Sequence, residues 1–138
     1  MKKLIYLIAI FFSGFVFGQE VQEGIKHQNI EPQNIYESVD IDAAFPGGMN
    51  AFRQKFADNF NDKKVHSQKK NTIYRAVITF VVERDGSITD IMASGDNVEF
   101  IRESINAIKR IKEKWSPAKL NDKPVRQRYK LPIAMNFD

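Results

Sequence analysis

The sequence predicts an α+β domain: a three-stranded antiparallel sheet in the order 2-1-3, with both helices packed on one face. Three observations carry that prediction. Residues 125–137 alternate, with Val125, Gln127, Tyr129, Leu131, Ile133, Met135 and Phe137 on one side and Arg126, Arg128, Lys130, Pro132, Ala134 and Asn136 on the other. Such alternation marks a strand with one buried and one wet face. Residues 72–83 are apolar on both faces, as a central strand is, and lead through Asp85-Gly86, a strong hairpin signal, into a return strand over 88–94. Helical stripes stand before the first strand and between the second and third. The hairpin makes the first two strands antiparallel, and the intervening helix lets the third return on the far side of the first. Pro132 has no N–H for a ladder, which places that third strand at a sheet edge.

At 138 residues without a cysteine, the chain has room for one modest domain and a short extra segment. Neither a disulfide framework nor thiolate metal chemistry is open to it. The extra segment comes first. Lys2 and Lys3 precede the almost wholly apolar residues 4–17, and Val16 and Gly18 are small, so residues 1–18 read as a secretory signal peptide cut before Gln19. As a helix the apolar run spans about 21 Å, short of a hydrocarbon core of about 30 Å; an inner-membrane anchor is the alternative. Residues 19–39, rich in Gln, Asn and Glu, read as a flexible acidic tether, and residues 40–138 as the domain. Charge divides in the same sense. Residues 19–45 hold six acids against Lys26 alone, a net −5, whereas residues 46–138 hold 18 bases and 11 acids, a net +7. An exported domain seldom meets nucleic acid, so its cations are assigned to a solvated surface and no nucleic-acid partner is expected.

Within the domain, Val39, Ile41 and Ala43 alternate briefly, as in a short strand. Pro46-Gly47-Gly48 is a turn, after which Met49, Phe52, Phe56 and Phe60 form one stripe on a helix of about a dozen residues. Residues 63–71 make a polar, basic loop containing His66. In the central strand Tyr74, Ala76, Ile78, Phe80 and Val82 share a face, with Val77 and Val81 on the other. The apolar phase of the return strand shifts near Asp90, as a bulge requires. Asp96 as N-cap with Glu99 three residues on is a capping box. It opens a helix whose buried stripe is Ile101, Ile105, Ile108, Ile111 and Trp115 and which Pro117 ends. Asn121-Asp122 then turns the chain into the last strand.

Little of this carries catalytic chemistry. His27 and His66 lie in separate polar segments with no neighbouring ligand set, so no metal is expected. Asp40 and Asp42 share a face without a partner acid or cation, and Ser94-Gly95 has no histidine placed to activate the serine. Gly47-Gly48 opens a helix, where backbone N–H groups hold anions, but no further glycine or nearby lysine assists. No nucleophile–base pair and no cofactor motif is present, so neither an enzyme nor a cofactor is expected.

Read in order, these pieces resemble the C-terminal domain of TonB-type energy transducers. The matching pieces are Phe45-Pro46-Gly47-Gly48 before a helix, Ile78-Thr79-Phe80-Val81-Val82 with Asp85-Gly86-Ser87-Ile88, Ser94-Gly95, and a helix ending in Trp115-Ser116-Pro117-Ala118. Asn121-Asp122-Lys123-Pro124-Val125 and Leu131-Pro132-Ile133 complete the set, which covers residues 40–137, about two thirds of the chain. The Phe-Pro-Gly-Gly form is similar to a Bacteroidetes-type variant, which implies a cell with two membranes and a periplasmic domain. The resemblance further implies capture of an extended peptide from an outer-membrane TonB-dependent transporter, added as a strand beside the last strand. That maps peptide contacts onto Arg126, Gln127, Arg128, Tyr129, Lys130, Leu131 and Ile133. The physics of an edge agrees, since it presents unpaired backbone groups, and Arg126, Arg128 and Lys130 would select an acidic peptide. The same edge equally suits a homodimer contact, in an oligomerising or structural module without a transport role. Full transducers of that family carry an inner-membrane helix and a long proline-rich spacer. Here the segment over 19–45 contains one proline, Pro32, and reaches at most about 90 Å, so binding a partner is implied more directly than pulling on it.

Overall fold

The computed structural model describes residues 30–66 and 70–137. The predicted signal peptide, most of the predicted tether and His27 lie outside them. In chain order the elements are β1 (Ile35–Tyr36), α1 (Gly48–Asn59), a 3-10 turn at Asp62–Lys64, β2 (Thr72–Val82), β3 (Ile88–Gly95), α2 (Val98–Arg110), β4 (Ala118–Leu120) and β5 (Lys123–Phe137). The fold class is α+β, but the sheet is not three-stranded and antiparallel. Among the described residues it has five strands and is mixed, with the path β1-β5-β2-β3. The inner part, β5-β2-β3, keeps the expected 2-1-3 order and is antiparallel throughout. To it are added β1, parallel to β5 at Ile35↔Arg126 and Tyr36↔Gln127, and β4, antiparallel to β5 from Ala118↔Val125 to Leu120↔Lys123. Strands of two and three residues are too short to display a period of two. The stretch expected as a loose tether therefore contributes a strand at Ile35–Tyr36. The β4–β5 turn uses Asn121 and Asp122 at φ 49° and 62°, the left-handed pair that a two-residue hairpin needs and that Asn and Asp tolerate.

All eleven residues of β2 pair with β5, from Thr72↔Phe137 to Val82↔Gln127, without a break. β2 is central, as its two-sided apolar pattern predicts, and Ile78, Phe80, Val81 and Val82 are fully buried. On the β3 side Thr79 pairs with Met92 and Val81 with Thr89, so Asp90 and Ile91 both lie opposite Phe80. This bulge, with Asp90 at φ 51°, returns Ile88, Ile91 and Ala93 to the core side.

Both helices pack on that core side. Phe52 and Phe56 of α1 are buried, with Met49 and Phe60 packed beside them, so the expected stripe holds. The α2 helix departs from expectation in three respects. Its N-cap is Asn97, whose side chain accepts the Phe100 N–H at 2.9 Å, whereas Asp96 accepts the Arg75 N–H and Glu99 faces His66. Its buried residues are Phe100, Glu103, Ser104, Ala107 and Ile108, while Ile101 and Ile105 are half-buried. The isoleucines suggested another rotation because a sequence shows polar residues without their partners. Here the Ser104 hydroxyl donates to the Phe100 carbonyl at 2.7 Å, and one Glu103 oxygen accepts from the Asn61 N–H and the Arg110 guanidinium, which makes burial affordable. Finally, the helix ends at Arg110, well before Pro117. The backbone beyond is bonded elsewhere: the Trp115 N–H donates to the Gly86 carbonyl at 2.9 Å, and Ala44 and Ser116 exchange bonds of 2.8 and 3.0 Å.

Trp115 thus lies on an irregular segment and still occupies the centre of the core. Its ring centroid is 5.0 Å from Phe52, 5.1 Å from Tyr129, 5.5 Å from Phe80 and 5.6 Å from Phe45. The tip of the β2–β3 hairpin is seated on it. Gly86 has φ 83°, and a Cβ there would stand 2.0 Å from the Trp115 carbonyl oxygen, so only glycine fits. Trp115→Ala should cost about 3–5 kcal/mol in denaturant unfolding; a loss below about 1 kcal/mol would show that this ring cluster does not join helices to sheet.

Candidate functional site

The last strand divides its side chains as the alternation predicts. Gln127, Tyr129, Leu131 and Ile133 turn toward the helices and are occupied there. Gln127 is 4% exposed; its Oε1 accepts the Ala43 N–H at 2.8 Å and its Nε2 donates to Asp42 Oδ1 at 2.7 Å. Tyr129 stacks on Phe80 at 5.6 Å and 14°. Leu131 is buried and Ile133 half-buried in the core. These four contribute side chains to the fold, so any contact they offer a peptide runs through the backbone.

Arg126, Arg128 and Lys130 face the helix-free side, and two of these three are engaged. Arg126 makes a two-pronged bond to Glu83 (Nε to Oε2 at 2.8 Å, Nη2 to Oε1 at 3.0 Å) and donates Nη1 to the Gln33 carbonyl at 2.8 Å. Arg128 donates to Asp90 at 3.1 Å. Lys130 is exposed. The Glu83 and Asp90 partners were missed from sequence because they follow from register. Glu83 comes opposite Arg126 one step past Val82↔Gln127, and the bulge carries Asp90 toward Arg128, which itself stands opposite Val81. The other sequence candidates are held structurally. Asp42 binds Gln127, Asp40 accepts the Asn121 N–H at 2.8 Å, and His66 Nδ1 lies 3.2 Å from Glu99. Among the described residues, no three His, Asp or Glu side chains are gathered as a metal site would need.

The outer edge of β5 is covered by β1 at Arg126 and Gln127 only; beyond Tyr36↔Gln127 no described strand lies along it. Pro132 stands in this stretch, opposite Val77 on the inner side. Proline is tolerated in a paired strand where its missing N–H would point outward. Backbone groups alternate in direction along an antiparallel ladder, so Lys130 and Ala134 share that outward aspect.

The family model described as Gram-negative bacterial TonB protein C-terminal matches residues 68–137, just over half of the 138-residue chain. The chain belongs to the TonB C-terminal family. No curated protein and no solved structure matches it. The TonB C-terminal match holds the β2–β3 hairpin, α2 and the whole of β5. Phe45-Pro46-Gly47-Gly48 and α1 precede it, so the likeness of that tetrapeptide to a Bacteroidetes-type variant has no counterpart in the match. TonB C-terminal domains are periplasmic protein-interaction domains of Gram-negative bacteria that engage outer-membrane TonB-dependent transporters, and membership connects this chain with TonB-dependent energy transduction. Among the described residues no helix is long and apolar enough to cross a membrane.

The Arg126–Glu83 pair has a measurable signature. The Arg126 hydrogen bond holds the Glu83 carboxyl below the ordinary glutamate range, against the opposing effect of burial. A depressed carboxylate stabilises the fold fully above its unfolded value of about 4.3, and that stability is lost as the pH falls through the lower folded value. Denaturant midpoints should therefore drop as the pH falls below about 4.3, and the drop should be shallower in Glu83→Gln. Superimposable pH profiles for the two proteins would mean that the pair adds nothing.

Proposed function

We propose that this TonB C-terminal domain captures an extended peptide of an outer-membrane TonB-dependent transporter by strand addition along the outer edge of β5. The observation that carries the reading is that edge beyond Tyr36↔Gln127, rigidly backed by the unbroken ladder to β2 and bearing outward backbone groups at Lys130 and Ala134. Main-chain bonds supply affinity in this mode of recognition, and side chains supply selection. With Arg126 and Arg128 held by Glu83 and Asp90, Lys130 is the cation beside the uncovered edge that meets an acidic residue of the peptide. In the same reading residues 1–18 direct export and the segment that follows tethers the domain.

Ordering a free peptide opposes binding, so dissociation constants should be micromolar, about −8 kcal/mol. Amide shifts on adding a transporter-derived peptide should concentrate in β5. Lys130→Pro removes an outward N–H and should weaken binding at least tenfold in a folded protein. Gln127→Pro should instead disturb folding, because Gln127 is buried opposite Val82. Shifts clustered at residues 47–48 or in the 63–71 loop, with β5 silent, would reject strand addition. Shifts in β5 that follow protein concentration without peptide would favour pairing of two copies.

A further inference from the structure

We propose that a pocket at the start of β5 binds a small amphipathic anion, an apolar ring or short chain that ends in one carboxylate. The pocket precedes the residues of β5 that β1 covers, and the proposal is independent of what pairs with the rest of the strand. Its volume is about 300 Å³, at the small end of the range for ligand sites, which suits one ring with a short arm. Ile30, Pro32, Pro124 and Val125 make the lining apolar, and Arg84, Lys123 and Glu31 bring charge to it.

The walls are held by bonds that owe nothing to a ligand. The Asn34 N–H donates to the Glu31 carbonyl at 3.0 Å and the Glu31 N–H to the Tyr36 hydroxyl at 3.2 Å, which folds residues 31–34 into a turn. Arg126 fixes that turn through the Gln33 carbonyl. Ile30 packs on the core, and Val125 is buried. Arg84 stands on the β2–β3 hairpin, where the Glu83 N–H donates to the Ser87 carbonyl at 2.8 Å. Two of the apolar residues are prolines with φ already set, so little ordering of the site opposes binding. Charge then names the ligand. Arg84 and Lys123 are exposed, and among the described residues neither forms an ion pair, whereas Arg126 and Arg128 both do. The Glu31 carboxylate likewise has no cation among the described residues. Two cations against one acid leave the pocket positive, which matches a monoanion. The Arg84 fork can take a carboxylate through two N–H groups, Lys123 adds a second charge, and a hydrocarbon body covers the prolines and Val125.

The test titrates the chain from Gln19 onward with phenylacetate and follows backbone amides. Shifts should saturate and centre on Ile30, Glu31, Arg84, Lys123 and Val125. Phenylacetamide keeps the ring without the charge, and acetate keeps the charge without the ring; each should bind about tenfold more weakly. Arg84→Gln should weaken phenylacetate about threefold, and Glu31→Gln should tighten it about twofold. Both side chains are exposed, so denaturant midpoints should not move. Added salt should weaken phenylacetate and leave phenylacetamide unchanged. Equal binding of phenylacetate and its amide would overturn the assignment of an anion. Shifts centred on Lys130, or no shifts at all, would overturn the pocket and leave strand addition untouched.

Discussion

Along a β-strand successive side chains point to opposite faces, so an unbroken ladder assigns every residue of both partners at once. Eleven consecutive pairs join β2 to β5, and most of the remaining architecture follows from their register. Tyr129, Leu131 and Phe137 are sent to the helices, and Arg126, Arg128 and Lys130 to the open side. Glu83 arrives opposite Arg126, and the bulge that keeps Ile91 in the core delivers Asp90 to Arg128. A slip of one residue would expose Leu131 and bury Lys130, with both ion pairs lost. Core, charge and edge are thus three consequences of one alignment.

The unit that this alignment supports is larger than the segment that defines the family. Trp115 lies within the matched residues 68–137, yet two of the rings around it, Phe45 and Phe52, precede them. Gln127 of β5 likewise holds Asp42 and Ala43 through its buried amide. The segment from Asp40 to α1 completes a core that the matched part leaves open on that side. Phe60 does the same at the far end, where it packs on Phe100 and Phe137.

Long periodic elements were legible in the sequence: the stripe of α1, the two-sided β2, the bulge at Asp90 and the alternation of β5. Each repeats its signal over enough residues to fix a period. Where the signal was short or depended on a partner, the reading failed. β1 and β4 have two and three residues. The buried face of α2 includes Glu103 and Ser104: Arg110 and Asn61 bond one Glu103 oxygen, Lys64 stands 4.0 Å from the other, and the Ser104 hydroxyl donates to the Phe100 carbonyl. The α2 helix closes at Ile111, whose N–H bonds back to the Ile108 carbonyl, and the backbone at Trp115 and Ser116 then bonds to Gly86 and Ala44, distant in sequence. At the candidate site the strand and its outward positions were legible from Pro132, whereas the neutralisation of Arg126 and Arg128 was not, because a charge's partner is a property of register.

The parallel pairing of β1 with the start of β5 gives the edge one closed end. An open edge leaves an incoming strand free to pair in several frames two residues apart, all presenting the same faces. Here Ile35 and Tyr36 occupy the places beside Arg126 and Gln127, and the Arg126 guanidinium holds Gln33 behind them. Any strand added along this edge would meet β1 before it reached Arg126, so β1 fixes where the uncovered part of the edge begins.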